Sequence, residues 1–281
     1  MIDKVIALAE AVTLVKSGDM LTLGGITLYR RPVAFVYELM RQATPPTELT
    51  LMCFTASYET DLLIGAGLVK CIRSCYFGFE VFGLAPMFTE AANLGKIEIM
   101  EESEASLTFG IRAAAASIGF MPGRGWIGTD MLRLRPDVRT IRDPYSGEEL
   151  AAFPAIHPDV AVIHALVADR SGNAVIGGNP GIDNELALVA KTVIITAEEI
   201  VEKLDHVDIA TPLVTAVVAA PRGAWPTSCH PLYPIAGGEI LQYLEACGRG
   251  EFEAYLRERL DGRRMTVDGG PLRETNERSD E

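Results

Sequence analysis

Short apolar runs and amphipathic stretches take turns along this chain from its first residues onward. Val5, Ile6, Ala9, Val12 and Val15 keep helical spacing, which predicts a helix over 3–15 that ends in the turn cluster Lys16-Ser17-Gly18-Asp19. Met20 to Leu23 then reads as a short strand, and Gly24-Gly25 as a turn whose backbone carries no Cβ. Pro32 suits the opening of a helix over 32–42, where Val33, Val36, Tyr37 and Met40 fall at i, i+3, i+4 and i+7. A glycine turn between a strand and a helix is where open α/β sheets tend to receive small anionic ligands.

The alternation continues. Strands are predicted at 49–54, 69–77 and 97–100, and helices at 59–67, 86–94 and 107–118, the last with Ser103 as its cap. The run Ala113–Ala116 in that helix predicts close packing on a sheet. Residues 121–149 break the rhythm: they hold five arginines, no lysine and several Gly and Pro, and read as a long loop over the sheet edge, functional or interfacial. Strands resume at 160–165 and 174–176 around the turn Asp169–Asn173, in which Gly172 and Asn173 serve the turn and not a ligand. A helix over 184–190, strands at 192–196 and 215–219 and a helix over 238–260 complete the pattern. Strand and helix alternating in this way imply a single α/β domain over 1–260, an open and largely parallel sheet with helices on both faces. The tail 261–281 is polar and reads as disordered.

Composition narrows the function. Twenty-five basic against 38 acidic residues leave −13, which argues against nucleic-acid and anionic-membrane partners. No apolar run nears the roughly 18 residues of a bilayer span, and the start lacks a basic leader, so the expectation is a cytoplasmic protein. Five cysteines without a C-x-x-C pair or a histidine cluster point to reduced thiols and no metal site. The phosphate loop, the dinucleotide fingerprint, the serine elbow and the zinc-protease helix are all missing. Of the scattered histidines His157, His164, His206 and His230, His164 lies in an apolar strand and reads as a hydrogen-bonded core residue.

What remains is carboxylates, glycines and arginines. Glu101, Glu102 and Glu104 sit where a strand gives way to a helix, where the dipole favours a carboxylate and where an ionised one suits a nucleophile or general base.

The stretches GGITLYRRPVAFVYELMRQ, MPGRGWIGTD and HALVADRSGN, in this order, resemble the A (alpha) chain of the class I CoA-transferases, glutaconate CoA-transferase most of all. The resemblance implies an open α/β fold, a coenzyme A thioester as substrate with no permanently bound cofactor, and a partner B subunit. In that family a glutamate of the B chain attacks the acyl-CoA and carries CoA to an acceptor carboxylic acid. The stretch IEIMEESEASLTFGIRAAAASIGFMPGRG also resembles the A chain of steroid-ring-cleaving CoA-thioester hydrolases, in which a glutamate at the place of Glu104 is the functional one; Arg124 fits that branch as well. On the transferase resemblance, Gly24 and Gly25 would offer N–H groups at the A–B seam, and Arg30 or Arg31 would pair with the far carboxylate of a dicarboxylic substrate. A third reading makes the protein a non-catalytic chain that shapes its partner's pocket.

Overall fold

In the computed structural model, residues 2–261 are described, so the tail expected to be disordered lies outside them, Asp261 apart. The first half runs α1 (Leu8–Ala11), β1 (Met20–Leu23), α2 (Val33–Arg41), β2 (Leu49–Cys53), α3 (Tyr58–Gly65), β3 (Val69–Ser74), α4 (Pro86–Asn93), β4 (Glu98–Glu101) and α5 (Glu104–Ala115). Next come β5 (Phe120–Gly123), α6 (Met131–Leu134), β6 (Arg139–Arg142) and β7 (Glu149–Pro154). The second half holds β8 (Val160–Asp169), β9 (Ala174–Val175), α7 (Asp183–Val189), β10 (Thr192–Val201), β11 (Ala216–Ala219), α8 (Gly237–Gly248) and α9 (Phe252–Leu260).

Seven strands form one parallel sheet in the order β11-β10-β8-β1-β2-β3-β4, and β9 adds to β8 as an antiparallel hairpin. The chain begins this sheet at its middle, builds outward from β1 to β4, then returns to the other side of β1 with β8. The order therefore reverses at β1, and in such sheets the crevice beyond the carboxyl ends at the reversal is the ligand position.

Side chains alternate across the sheet and feed two cores. Val160 and Val162 of β8 join Leu21, Leu23, Leu49 and Leu51 on one face, under α2, α3, α8 and α9. Ala161, Ile163 and Ala165 join Val193 and Ile195 on the other, under α5 and α7. Helices thus cover both faces, as the alternation predicts. All four stripe residues of α2 are buried, together with Phe35 and Leu39.

Three local expectations are corrected. Residues 3–6 are extended: Val5 bridges to Val217, and only 8–11 form an α-helix, continued by one 3₁₀ turn. The helix expected over 238–260 is two, broken between Gly248 and Phe252. The segment 121–149 is not a plain loop. Its ends fold as β5, β7 and β6, an antiparallel sheet with its own small core of Trp126, Val138, Ala151 and Phe153. The close approach of α5 comes at Gly110, where a Cβ would stand 2.5 Å from Ile156 Cδ1 and 2.8 Å from the Pro154 carbonyl. The expected alanine run contributes only Ala113 and Ala114 to the buried surface.

The β8–β9 turn is organised by Asp169. Its carboxylate accepts from the N–H groups of Ser171, Gly172 and Asn173, each at 3.0 Å, and from the Ser171 hydroxyl and the Asn173 amide at 2.7 Å. Burial pushes this carboxyl up, but the hydrogen bonds from Asn173 and Ser171 outweigh it and bring it down to about 2. A depressed folded-state value stabilises the fold above the unfolded value and loses that contribution as pH falls toward 2. Urea unfolding should therefore show about 2 kcal/mol lost between pH 4 and about 2 through this group. Asp169→Asn should lack that part of the slope; equal slopes in both proteins would contradict the assignment.

Candidate functional site at the carboxyl ends of the strands

Gly24 and Gly25 extend β1 into the crevice. The Gly24 N–H donates to the Val162 carbonyl at 2.8 Å, and the Gly25 N–H donates to Asp183 Oδ1 at 2.9 Å. Gly25 has φ +82°, and a Cβ there would lie 2.4 Å from the Tyr29 carbonyl, so only glycine fits. Both N–H groups expected to face a ligand are thus already donated within the chain.

The two arginines are likewise inside the protein. Arg30 and Arg31 are each 0% exposed. Arg30 pairs with Asp183 at 2.9 Å and donates to the carbonyls of His164 and Asn179, both at 2.8 Å. Arg31 pairs with Glu59 at 2.5 Å and donates to the Gly25 carbonyl at 3.0 Å. Glu59 also accepts from the hydroxyls of Ser57 and Thr60. The expectation that one of these arginines grips a substrate carboxylate meets two guanidiniums that already hold carboxylates of their own chain. Their terminal nitrogens are engaged, and the reason is burial: a charge this deep needs a partner.

Behind Arg30 lies a second polar cluster. His164 Nδ1 is 2.9 Å from Thr196 Oγ1 and Nε2 is 2.8 Å from Glu198 Oε1; Tyr233 donates its hydroxyl to the same oxygen, and the Arg222 N–H donates to Glu198 Oε2 at 2.5 Å. Burial raises Glu198, but the His164 and Tyr233 hydrogen bonds prevail and lower it. Cys229, with Glu198 and His164, places three ligand-type atoms within 4.8 Å of one another. Burial pushes the Cys229 thiol up to about 12, and the imidazole and carboxylate already bond to each other. This is the hydrogen-bonded core histidine that the apolar strand predicts, with Cys229 brought in from a distant loop.

Glu104 stands apart, at the first position of α5 beyond the edge strand β4. Its side chain is exposed, and among the described residues no hydrogen bond or ion pair engages it. Burial, with the Glu104 charge next, pushes the nearby Cys75 thiol up to about 11, and that thiol donates to the Phe54 carbonyl at 2.8 Å. Glu104 therefore lies near the carboxyl ends of β3 and β4. Arg124 is exposed and paired with Glu148; its neighbour Gly125 lies against Ala105, where a Cβ would be 3.4 Å from the Ala105 Cβ. The structure gathers Gly24, Gly25, Arg30 and Arg31 beyond the end of β1, and sets Glu104 after β4, three strands along the sheet order, with Arg124 on the excursion that follows α5.

The sequence model of the coenzyme A transferase family matches residues 5–220. The chain belongs to this family. Among relatives, it is 35% identical over 238 residues to the A chain of the 3-oxoadipate CoA-transferase of Pseudomonas knackmussii, covering 82% of this chain and 83% of that one. It is 32% identical over 283 residues to the A chain of the glutaconate CoA-transferase of Acidaminococcus fermentans, with 91% and 87% covered. It is also 32% identical to the IpdA chain of a cholesterol ring-cleaving hydrolase of Rhodococcus jostii, with 79% of each covered. An uncharacterised Archaeoglobus fulgidus protein, 36% identical over 91% of this chain, is longer, and the match spans 60% of its length. The crystal structure of the Acidaminococcus enzyme superposes with TM-score 0.84 at 31% identity, covering 91% of this chain and 88% of that one. That of a variant of the decarboxylase AibA/AibB does so with TM-score 0.87 at 29% identity, covering 92% and 100%. The open parallel sheet is therefore the CoA-transferase fold, and the protein is of its A-chain type. Helices α8 and α9 lie beyond the family match. Among the described residues no helix is long and apolar enough to cross a membrane.

In this family member, sequence reasoning missed Asp183 and Glu59, and it took Glu102 only as one of three acids before α5. Asp183 directly precedes the helix expected over 184–190, and its local sequence does not single it out. The available signal was the arginine pair itself: two adjacent guanidiniums in an apolar setting require two buried carboxylates elsewhere in the chain. Asp183→Ala would leave Arg30 buried without its counter-ion, and should cost about 3–5 kcal/mol in denaturant unfolding. Asp183→Asn, which keeps an acceptor for the Gly25 N–H, should cost less; equal or negligible losses would show that the pair does not organise the turn.

Proposed function

We propose that this chain, with a B-type partner, moves CoA between an acyl-CoA and a carboxylic acid, the attacking glutamate being carried by the partner. The observation that supports this most is that the crevice at β1 is closed by the chain's own groups. Gly24 and Gly25 donate inward, Arg30 and Arg31 are neutralised, and the exposed carboxylate Glu104 sits at the sheet edge. A chain so arranged supplies a floor and a wall, and its relatives are named as subunits. On this reading Gly24, Gly25, Arg30 and Arg31 act as the rigid floor, and Glu104 and Arg124 touch the substrate from the edge.

The chemistry is a balanced exchange. The partner's glutamate attacks the thioester carbonyl and expels CoA thiolate, leaving an acyl anhydride. The thiolate attacks the glutamyl carbonyl of that anhydride and releases the acyl group as its carboxylate. The resulting glutamyl-CoA thioester is attacked by the acceptor carboxylate, and CoA returns through a second anhydride. The names of the relatives point to a dicarboxylic acid such as 3-oxoadipate or glutaconate. A second reading, a ring-opening hydrolase, draws on the same exposed Glu104 acting as acid or base; the Rhodococcus relative carries that name.

Borohydride trapping on the complex, given acetyl-CoA with glutaconate or 3-oxoadipate, separates these readings. A glutamate of the partner reduced to the alcohol, found by mass spectrometry, is the expected result. A requirement for Glu104 with no trapped glutamate would replace the transferase with the hydrolase. Glu104→Gln should lower turnover by about 100-fold or more if this carboxylate moves a proton or contacts the reacting group. Turnover kept within a few-fold would make the chain a pocket-former only.

A further inference from the structure

The excursion 120–154 packs along α5, with Phe153 against Phe109 at 5.3 Å between ring centroids and the Pro154 carbonyl against Gly110, and its side chains also grip the three residues that precede Glu104. Glu102 is buried, and its carboxylate accepts from Arg73 Nε of β3 at 2.6 Å, from Arg135 Nη1 at 2.8 Å, and from the Ser106 hydroxyl in the first turn of α5. The same Arg135 nitrogen donates to the Glu101 carbonyl at 2.8 Å. The rest of its fork grips Asp137 at 2.8 and 2.7 Å, and the guanidinium lies 5.7 Å from the Trp126 ring centroid. The indole N–H of Trp126 donates to Ser103 Oγ at 2.9 Å, and this hydroxyl is also the helix cap, accepting from the Ser106 N–H.

Glu101, Glu102 and Ser103 are each held, then, by a side chain of the excursion, while Glu104 itself is exposed and has no hydrogen bond or ion pair among the described residues. A buried Arg–Glu–Arg group is a poor source of net stability, since well-packed apolar residues often do as well or better. What such a group supplies is one fixed geometry across three elements. The excursion is also not a basic surface for an anion: Asp130, Asp137, Asp143, Glu148 and Glu149 balance its five arginines, and Arg124, Arg133 and Arg135 are each paired with one of them.

We infer that Arg135 and Trp126 are positioning residues, through which the excursion fixes the start of α5 and with it the placement of the Glu104 carboxylate. This rests on the role proposed above for Glu104. A displacement of about 1 Å at a reacting group can cost about 100-fold in rate.

The test is a double-mutant cycle on the complex with its partner, using acetyl-CoA and glutaconate. Arg135→Met and Trp126→Phe are made alone and together with Glu104→Gln. Each alone should lower kcat by about 10- to 100-fold with KM within about twofold. In the Glu104→Gln background each should add less than about twofold, because the group it positions is gone. If both variants keep full kcat while Glu104→Gln is inactive, the inference falls and the role of Glu104 stands. If the losses multiply undiminished in the Glu104→Gln background, the excursion acts on the whole structure, and the inference again falls. If Glu104→Gln itself turns over within a few-fold of the parent, the reading of Glu104 falls and takes the inference with it. Should Arg135→Met fail to assemble, Trp126→Phe carries the test, since it keeps an aromatic ring and removes the N–H to Ser103.

Discussion

Two buried ion pairs, Arg30 with Asp183 and Arg31 with Glu59, fix the centre of this molecule. They lie where the strand order reverses, and between them they tie the connection from β1 to α2 to one helix on each face of the sheet. Asp183 starts α7 on one face of the sheet, and Glu59 is in α3 on the other. Both also touch the glycine turn, Asp183 at the Gly25 N–H and Arg31 at the Gly25 carbonyl. Such pairs contribute little net stability compared with an apolar core, yet losing one partner is costly because the other is left charged and dry. Their effect is to allow one conformation of the turn. A crevice floor held this firmly does not need to reorganise when a ligand arrives, and pre-organisation is what makes fixed groups effective at a reacting centre.

The sheet edge follows the opposite rule. Every residue of β4 is at least partly exposed, its outer side has no strand partner among the described residues, and Glu104, at the start of α5, has no hydrogen bond or ion pair among them either. There the residues before Glu104 are held by side chains of the excursion together with Arg73 of β3. The molecule thus pairs a closed, neutralised centre with an edge that presents chemistry outward, which is the division of labour expected of a chain that shares a site with a second one.

The strand and helix order was largely legible, because each element carries its own period of two or 3.6. The excursion was not. Its strands pair β5 with β7 across some 25 residues, and their short apolar stretches carry no local signal of that partner. The break between α8 and α9 was hidden because Leu244, Phe252 and Tyr255 keep apolar spacing on both sides of it. At the site, Glu104 and the glycine turn were visible as positions, but the engagement of their neighbours was not. Arg30 and Arg31 beside Pro32 read as cations available for a substrate, and only the tertiary structure brings Glu59 and Asp183 to them. Glu102 was noticed only as one of three acids, when its two arginines come from β3 and from the excursion.

A crystal structure of the complex with its partner and an inert thioether analogue of an acyl-CoA would test the central claim most directly. The account predicts the acyl carbonyl near the carboxyl ends of β3 and β4, within about 3–3.5 Å of a Glu104 carboxylate oxygen, covered by the partner chain, with Arg30 and Arg31 still paired to Asp183 and Glu59. An analogue bound at β1 with Arg30 or Arg31 released to grip it, and Glu104 far from the acyl group, would contradict it.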